Sequence, residues 1–443
     1  VWRIRSGGYT AFCNMDRFIF HVDANSAFLS WSAAYRVHVL GEKIDLRDLP
    51  SIVGGDQEKR HGIVLAKSVP AKKYGIQTGE AVLTARQKCP ELVIVPPDYG
   101  LYVNASRAFM EILRKYSDNV IQYSIDEAWA VFDGYENIYG KGREVELALK
   151  IKKEIYKELG FTVNIGISNN FLLSKMAGDL SKPDKVHTLF PEEIEKKMWP
   201  LPVSDLFFVG RATTKKLLNL GIKTIGELAH ADEEMIRAHL KTMGTVVQNY
   251  ARGGDLEPYM YTHVANKGYG NSMTAPQDVT TYEYADHLLL SLCETVGVRL
   301  RTDDVKISVV SVHITTYEFQ YFNKQTQLLS PTDVTEEIHH AACKVFRLLW
   351  DGKTPIRQIG VHTSKVQTDV GRQYNLFDLD KYDRLSVLNR TIDDIRGRFG
   401  EESVFRASFL GSNVEHMSGG LDKERRSGVT VGIDVEKEKV RAM

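Results

Sequence analysis

Cysteine is scarce in this chain. There are four in 443 residues (Cys13, Cys89, Cys293 and Cys343), far apart and with no Cys-x-x-Cys pair. Neither a disulfide framework nor a zinc site is suggested, and a reducing, cytoplasmic setting is expected. No apolar run approaches the ~18 residues needed to span a bilayer, and the N-terminal residues lack a signal-peptide h-region. No membrane attachment is therefore expected. Excess charge of either sign is absent as well: 57 basic residues face 57 acidic ones. That balance counts against nucleic acid as a partner without excluding it, because charge is local. Gln57 to Gly75 holds Lys59, Arg60, Lys67, Lys72 and Lys73 against the single acid Glu58. Internal repeats and long low-complexity segments are also lacking.

The composition present, 43% hydrophobic and 26% charged, is that of an ordinary globular protein. The length implies about three or four domains. Residues 17–23 read as a strand, followed by a helix from Ser26 to Leu40. A compact insertion, Asp45 to Pro90, leads to a short strand at Val93 to Pro97. Helical spacing recurs at Asn104–Tyr116 and Glu144–Leu159, and Phe161 to Ile167 alternates like a strand. From Pro191 to Gly254 the pattern is all-helical, and Pro258 to Lys267 reads as a linker. Beyond it the order is strand, helix, two strands, helix and strand, a βαββαβ unit ending near Ser364. The tail past Gly371 is polar and poorly patterned except at Ile392 to Phe399.

Two short stretches carry the chemistry: Phe20-His21-Val22-Asp23-Ala24-Asn25-Ser26-Ala27-Phe28 and Tyr123-Ser124-Ile125-Asp126-Glu127-Ala128-Trp129. Each sets carboxylates inside an apolar run that reads as a buried strand, where a lone charge is expensive. Asp23, Asp126 and Glu127 become tolerable together if the strands are neighbours and divalent metal neutralises the cluster. Oxygen ligands facing substrate phosphates suit magnesium, and a pair of such ions is the arrangement of two-metal nucleotidyl transfer. Taken singly, Asp23 could instead cap the following helix, and Asp126-Glu127 could mark a strand end.

These stretches resemble the motifs of the Y-family DNA polymerases, the lesion-bypass enzymes of the DinB and UmuC type. The Ser-Ile-Asp-Glu core of the family's second palm motif stands unaltered at Ser124 to Glu127. The resemblance implies an α/β and α+β multidomain right hand with palm, small fingers, a helical thumb and a βαββαβ little finger. The implied division is 1–26 and 96–189 palm, 27–95 fingers, 190–256 thumb, 257–266 linker, 267–370 little finger and 371–443 tail. It further implies two Mg²⁺ ions held by Asp23, Asp126, Glu127 and the Ala24 carbonyl. Asn25, Ser26 and Ala27 would line the nucleotide, and Phe28 would be the steric gate against a 2′-hydroxyl. Val69 and Lys72 stand where the family's fingers motif has Tyr and Arg, so Lys72 supplies charge without the bidentate fork, with Ser68 and Lys67 nearby. Lys182, in a Lys-Pro pair, would reach the triphosphate.

Leu206 to Ile222 is similar to a helix-hairpin-helix element, in which backbone amides beside Gly210, with Arg211 and Lys215, hold a DNA phosphate. The little-finger segment has no excess of basic residues, with ten Lys and Arg against twelve Asp and Glu from Thr262 to Val370, and its candidate DNA contacts are Arg299, Arg301 and Arg357. Gln373, Leu376 and Phe377 resemble a sliding-clamp docking peptide. The resemblance thus implies a low-fidelity translesion DNA polymerase in DNA repair and the SOS response. Its partners would be primer-template DNA, deoxynucleoside triphosphates and the clamp. Two rivals are a catalytically weak polymerase-like scaffold and a different metal-dependent nucleotidyl transferase.

Overall fold

The computed structural model describes residues 17–55, 62–134, 142–256, 265–368 and 379–417. The chain opens with β1 (Arg17–Ala24) and α1 (Ala27–His38), then β2 (Ser51–Gly54), β3 (Val64–Lys67), α2 (Val69–Lys73), α3 (Val82–Lys88) and β4 (Val93–Val95). There follow α4 (Tyr99–Arg114), β5 (Asn119–Gln122), β6 (Glu127–Asp133), α5 (Glu144–Leu159), β7 (Val163–Ser168), α6 (Phe171–Asp179) and β8 (Val186–Thr188). Five of these strands form one sheet in the order β5-β6-β1-β7-β8, with β1 at its centre.

The central strand reads as an almost unbroken apolar run because helices cover both sheet faces. Phe20 and Val22 pack into the core shared with α1, α4 and α5. Ile19, from the opposite face, joins Trp129 and the residues of α6 in a second core. That second core continues into a cluster of short helices: α7 (Ile194–Lys197), α8 (Arg211–Asn219), α9 (Ile225–His230), α10 (Glu233–Leu240) and α11 (Thr242–Ala251). The cluster is pinned at the sheet, where Asp255 Oδ1 accepts from the Phe171 amide at the start of α6 (2.8 Å).

β2, β3 and β4 form a separate small sheet in the order β3-β2-β4. It has its own core around Ile52, Val64 and Val82. The strand expected at Val93 to Pro97 thus belongs to this insertion rather than to the larger sheet.

Beyond the cluster lie β9 (Gly268–Val279), α12 (Tyr282–Thr302), β10 (Lys306–Thr316), β11 (Tyr321–Thr332), α13 (Thr335–Leu349) and β12 (Ile356–Gln367). Along the chain they follow the βαββαβ order expected, and in the sheet the four strands run β11-β10-β12-β9. Val310, Val312 and Ile314 of β10 face the two helices, while Ser311, His313 and Thr315 alternate onto the uncovered side.

The tail differs from its sequence reading. A final helix, α14, runs from Leu379 to Phe399 and is locked by ion pairs onto the α12/α13 layer. Arg396 Nη1 meets the buried Glu294 (2.7 Å), and Arg406 bridges Glu294 (2.5 Å) and Glu336 (2.8 Å). The helix is hard to see in sequence because charge pairing, more than an apolar stripe, holds it.

One backbone approach fixes α6 against the sheet. A Cβ on Gly166 of β7 would lie 2.0 Å from the Ser174 carbonyl and 2.2 Å from the Gly178 nitrogen. A Cβ on Gly178 would meet nothing nearer than 3.4 Å. Gly166→Ala is therefore expected to cost about 3 kcal/mol or more by forcing strand and helix apart. Gly178→Ala should stay within about 1 kcal/mol, the helix-propensity gain offsetting a slight crowding. Chemical denaturation followed by tryptophan fluorescence would check the contrast, and equal costs would refute the close-approach account.

Candidate active site

The two acidic stretches meet at the end of the central strand. β1 pairs antiparallel with β6 so that Asp23 stands opposite Glu127 and His21 opposite Trp129. The Ala24 amide donates to the Asp126 carbonyl (2.9 Å). Residues about a hundred positions apart thus share one strand end. The helix-cap alternative for Asp23 fails, because α1 is preceded by Ser26 in the left-handed conformation (φ 51°) with no side-chain cap.

Each carboxylate has its own compensation. Asp23 Oδ2 accepts from Lys182 Nζ (2.5 Å), which also reaches Asp179 (2.9 Å). Burial works against the Lys182 ammonium, but the charges of Asp23 and Asp179 outweigh it and raise its pKa. Asp126 accepts a hydrogen bond from the Ser124 hydroxyl (2.6 Å). Burial, reinforced by the Asp23 and Glu127 charges, still lifts its carboxyl above the ordinary value. Glu127 is the most constrained: Oε2 receives Lys175 Nζ (2.5 Å) and faces His21 Nε2 (3.0 Å). Burial would raise its pKa, yet the His21 hydrogen bond and the Lys175 charge bring it to about 2.

His21 and Lys175 were missed in the sequence. His21 lies two residues before Asp23 and so faces the same side of the strand. Lys175 has no local signal: it sits inside an apolar helix, only 8% exposed, over the rings of Tyr123 (5.3 Å) and Phe207 (5.4 Å).

A cleft of about 450 Å³ opens in front of the acids. Asp23, Ala24 and Asp126 form its floor, Ser26, Ala27 and Phe28 one wall, and Ala66, Lys67 and Lys72 the other. Thr78, unremarked in the sequence, joins them. Phe28 is held by a face-to-face stack on Tyr102 (4.5 Å, 8°), leaving part of its ring toward the cleft.

Three expected site residues are engaged elsewhere. Asn25 is buried and donates to Thr162 Oγ1 (3.1 Å), so its side chain ties α1's entry to β7. The Ser68 hydroxyl caps α2 through the Ala71 amide (3.1 Å) and donates to the Leu49 carbonyl (2.6 Å), leaving it no free hydrogen for a phosphate. Arg301 is buried in a bidentate pair with Asp393 (2.5 and 3.1 Å) and bonds the Asp333 carbonyl, so it docks α14 rather than DNA.

The remaining candidates lie apart from the acids. Gly210 precedes α8 without a side-chain cap, and with Arg211 and Lys215 it borders an exposed hollow of about 530 Å³. Arg299 is half-buried and donates to the Gly270 carbonyl (2.9 Å). Arg357 lies over the Phe319 ring (5.2 Å). Gln373, Leu376 and Phe377 fall outside the described residues.

Residues 22–179 match the impB/mucB/samB family, 266–376 its C-terminal domain, and 191–222 the helix-hairpin-helix motif of the same family. DNA polymerase IV of Clostridium acetobutylicum is 43% identical over 396 residues, 89% of this chain and 99% of that one. The chain belongs to this Y family of DNA polymerases. DNA polymerase IV of Acetivibrio thermocellus is 36% identical over 400 residues, 89% of this chain and 98% of the other. A solved Y-family DNA polymerase chimera is similar in fold (TM-score 0.65, 20% identity), covering 80% of this chain and all of its own. The family architecture of palm, helix-hairpin-helix thumb and little finger accounts for the five-stranded sheet, the helical cluster and the four-stranded sheet. Among the described residues no helix is long and apolar enough to cross a membrane.

Both Lys175 and His21 act on one oxygen of Glu127, which fixes the carboxylate plane and leaves Oε1 for another partner. Lys175→Met leaves the buried Glu127 carboxylate with one partner fewer and is expected to slow primer extension about 10–100-fold. The Mg²⁺ concentration for half-maximal rate should rise with little change in nucleotide KM. An unchanged Mg²⁺ requirement would leave Lys175 only a packing role.

Proposed function

We propose that this Y-family polymerase extends primers opposite damaged template bases from the strand end that holds Asp23, Asp126 and Glu127. The observation that carries the reading is the Asp23–Glu127 register with the Ala24–Asp126 backbone bond at the floor of the cleft. Three carboxylates and a backbone carbonyl form an all-oxygen donor set, which suits magnesium rather than a softer metal. Two Mg²⁺ ions bound by Asp23, Asp126, Glu127 and the Ala24 carbonyl would supply charge for activating the primer hydroxyl and the triphosphate.

The chain's own groups do the rest. Lys72 and Lys67 on one wall, and Lys182 at Asp23, are the cations available to a triphosphate. A triphosphate offers Lys182 a new anionic partner, so its arrival frees Asp23 for a cation. Val69, half exposed, adds no hydrogen bond, so the grip rests on lysines. Phe28, braced by Tyr102, excludes a 2′-hydroxyl. The Gly210 hairpin with Arg211 and Lys215 holds the duplex by its phosphates, and Arg299 and Arg357 flank the little-finger sheet.

The proposed division is palm 1–26 and 96–189, fingers 27–95, thumb 190–256, linker 257–266 and little finger 267–370. The tail carries Gln373, Leu376 and Phe377 for the sliding clamp, and the cytoplasm is the setting. Small side chains at Ser26, Ala27 and Ala66 and the three short strands of the fingers sheet fit a roomy site of low fidelity.

Template-directed extension by wild type should fall by about 10³-fold or more in Asp126→Ala-Glu127→Ala, a loss of ~4 kcal/mol of transition-state stabilisation. No extension by folded, DNA-binding wild type, with or without clamp, would favour the scaffold reading instead. Phe28→Ala should raise ribonucleotide incorporation at least about tenfold relative to deoxynucleotide, since it removes a ring-sized clash worth ~1.4 kcal/mol or more. Unchanged sugar selectivity would remove Phe28 from the gate.

A further inference from the structure

The polymerase acids each lean on a separate partner, but a second set of metal-ligating groups converges more tightly elsewhere. Asp286, His339 and Cys343 are, among the described residues, the one group of three or more His, Cys, Asp or Glu side chains whose ligand atoms all lie within 4.8 Å of one another. Asp286 stands on α12, and His339 and Cys343 stand one turn apart on α13, so the seam between the two helices brings them together. Their sequence neighbours Ala285, Ile338 and Ala342 are fully buried, which places the trio at the rim of the apolar seam.

The triangle has the dimensions of a coordination face. Cys343 Sγ lies 3.1 Å from Asp286 Oδ1 and 3.2 Å from His339 Nε2, and His339 Nε2 lies 3.4 Å from Asp286 Oδ1. For a tetrahedral ion bound at about 2.0 Å to nitrogen and oxygen and about 2.3 Å to sulfur, the edges would be about 3.3 Å and about 3.5 Å. The observed edges differ from these by no more than about 0.4 Å.

Several polar contacts converge on one ring nitrogen. His339 Nε2 faces the thiol, the Asp286 carboxylate and, at 3.3 Å, the Asp286 main-chain carbonyl. The ring nitrogen brings one proton or one lone pair to these contacts, and the Cys343 thiol donates to Asp286 Oδ1.

We propose that Asp286, His339 and Cys343 form a zinc site that clamps α12 to α13 on the helical side of the little finger. One thiolate, one imidazole and one carboxylate form a borderline-to-soft donor set that favours Zn²⁺ over Mg²⁺. Binding replaces the Cys343 thiol proton, which leaves to solvent, with a metal–sulfur bond. Three protein ligands leave the fourth position for water. Asp286, with a side chain 48% exposed, provides the way in. The nearby Arg406 is itself paired with Glu294 and Glu336.

The test titrates Co²⁺ and then Zn²⁺ into the full chain, carrying Asp126→Ala-Glu127→Ala to remove the oxygen site and kept in a non-thiol reductant. One equivalent of Co²⁺ should give thiolate-to-cobalt absorption in the near ultraviolet and tetrahedral bands in the visible, both abolished by Zn²⁺. Cys343→Ser should eliminate the ultraviolet band, and His339→Ala should weaken Co²⁺ binding at least about tenfold. Absence of that absorption in the chain with Asp286, His339 and Cys343 intact would overturn the proposal, whatever the variants do. So would the same band in Cys343→Ser, which would put the ion on another cysteine.

Discussion

Carboxylates gathered at the end of adjoining strands repel one another and resist burial, and much of the surrounding fold answers that constraint. The register of β1 against β6 creates the problem by setting Asp23 opposite Glu127. Helix α6 and the turn after it answer it by bringing Lys175 to Glu127 and Lys182 to Asp23. Those lysines arrive only because α6 packs against β7 at backbone distance over Gly166. A buried ion pair broken on one side costs several kcal/mol. The acids, the glycine and the lysines are therefore one unit, although the chain spreads them over more than 150 positions.

What could be read in the sequence depended on the range of the interaction responsible. Strands and helices with their own apolar period were legible, including the βαββαβ order and the helical segment from Pro191. So was the pairing of the two acidic stretches, because a charge in an apolar run demands a neighbour. Features made by partners distant in sequence were not legible. Arg301 reads as an exposed cation, yet Asp393, far along the chain, claims it. Ser68 and Asn25 sit beside site residues but spend their polar groups on α2 and on Thr162. Cysteine spacing suggested no metal site, since a search for Cys-x-x-Cys cannot see an aspartate on one helix facing a His-Cys pair on another.

The little finger illustrates the same division of labour within one layer. Its helical side is dense in charge: Glu294 receives both Arg396 and Arg406, and Arg301 holds Asp393. These cations dock α14 and are lost to any ligand. The opposite, open face of the sheet carries neutral polar side chains such as Ser311, His313 and Thr315. A count of Lys and Arg over this region therefore overstates what is available to a polyanion.

That shortage bears on how the polymerase stays on DNA. Attraction to duplex scales with the number of phosphates neutralised, and it falls steeply with salt when that number is large. A chain with 57 basic and 57 acidic residues, several of its arginines internally paired, has no overall excess of cations to offer. Weak intrinsic binding suits an enzyme that should engage only where replication has stalled. It also demands another source of residence time. A tether supplies this without new contacts to DNA, because it replaces bulk concentration with a local one that can reach the millimolar range. In the proposed reading, Gln373, Leu376 and Phe377 would provide that tether by holding the clamp close behind the little finger. In that reading the neutrality that argued against nucleic acid at first sight becomes part of the regulation: affinity would reside in the complex with the clamp, and the acids at Asp23, Asp126 and Glu127 would be delivered to DNA rather than drawn to it.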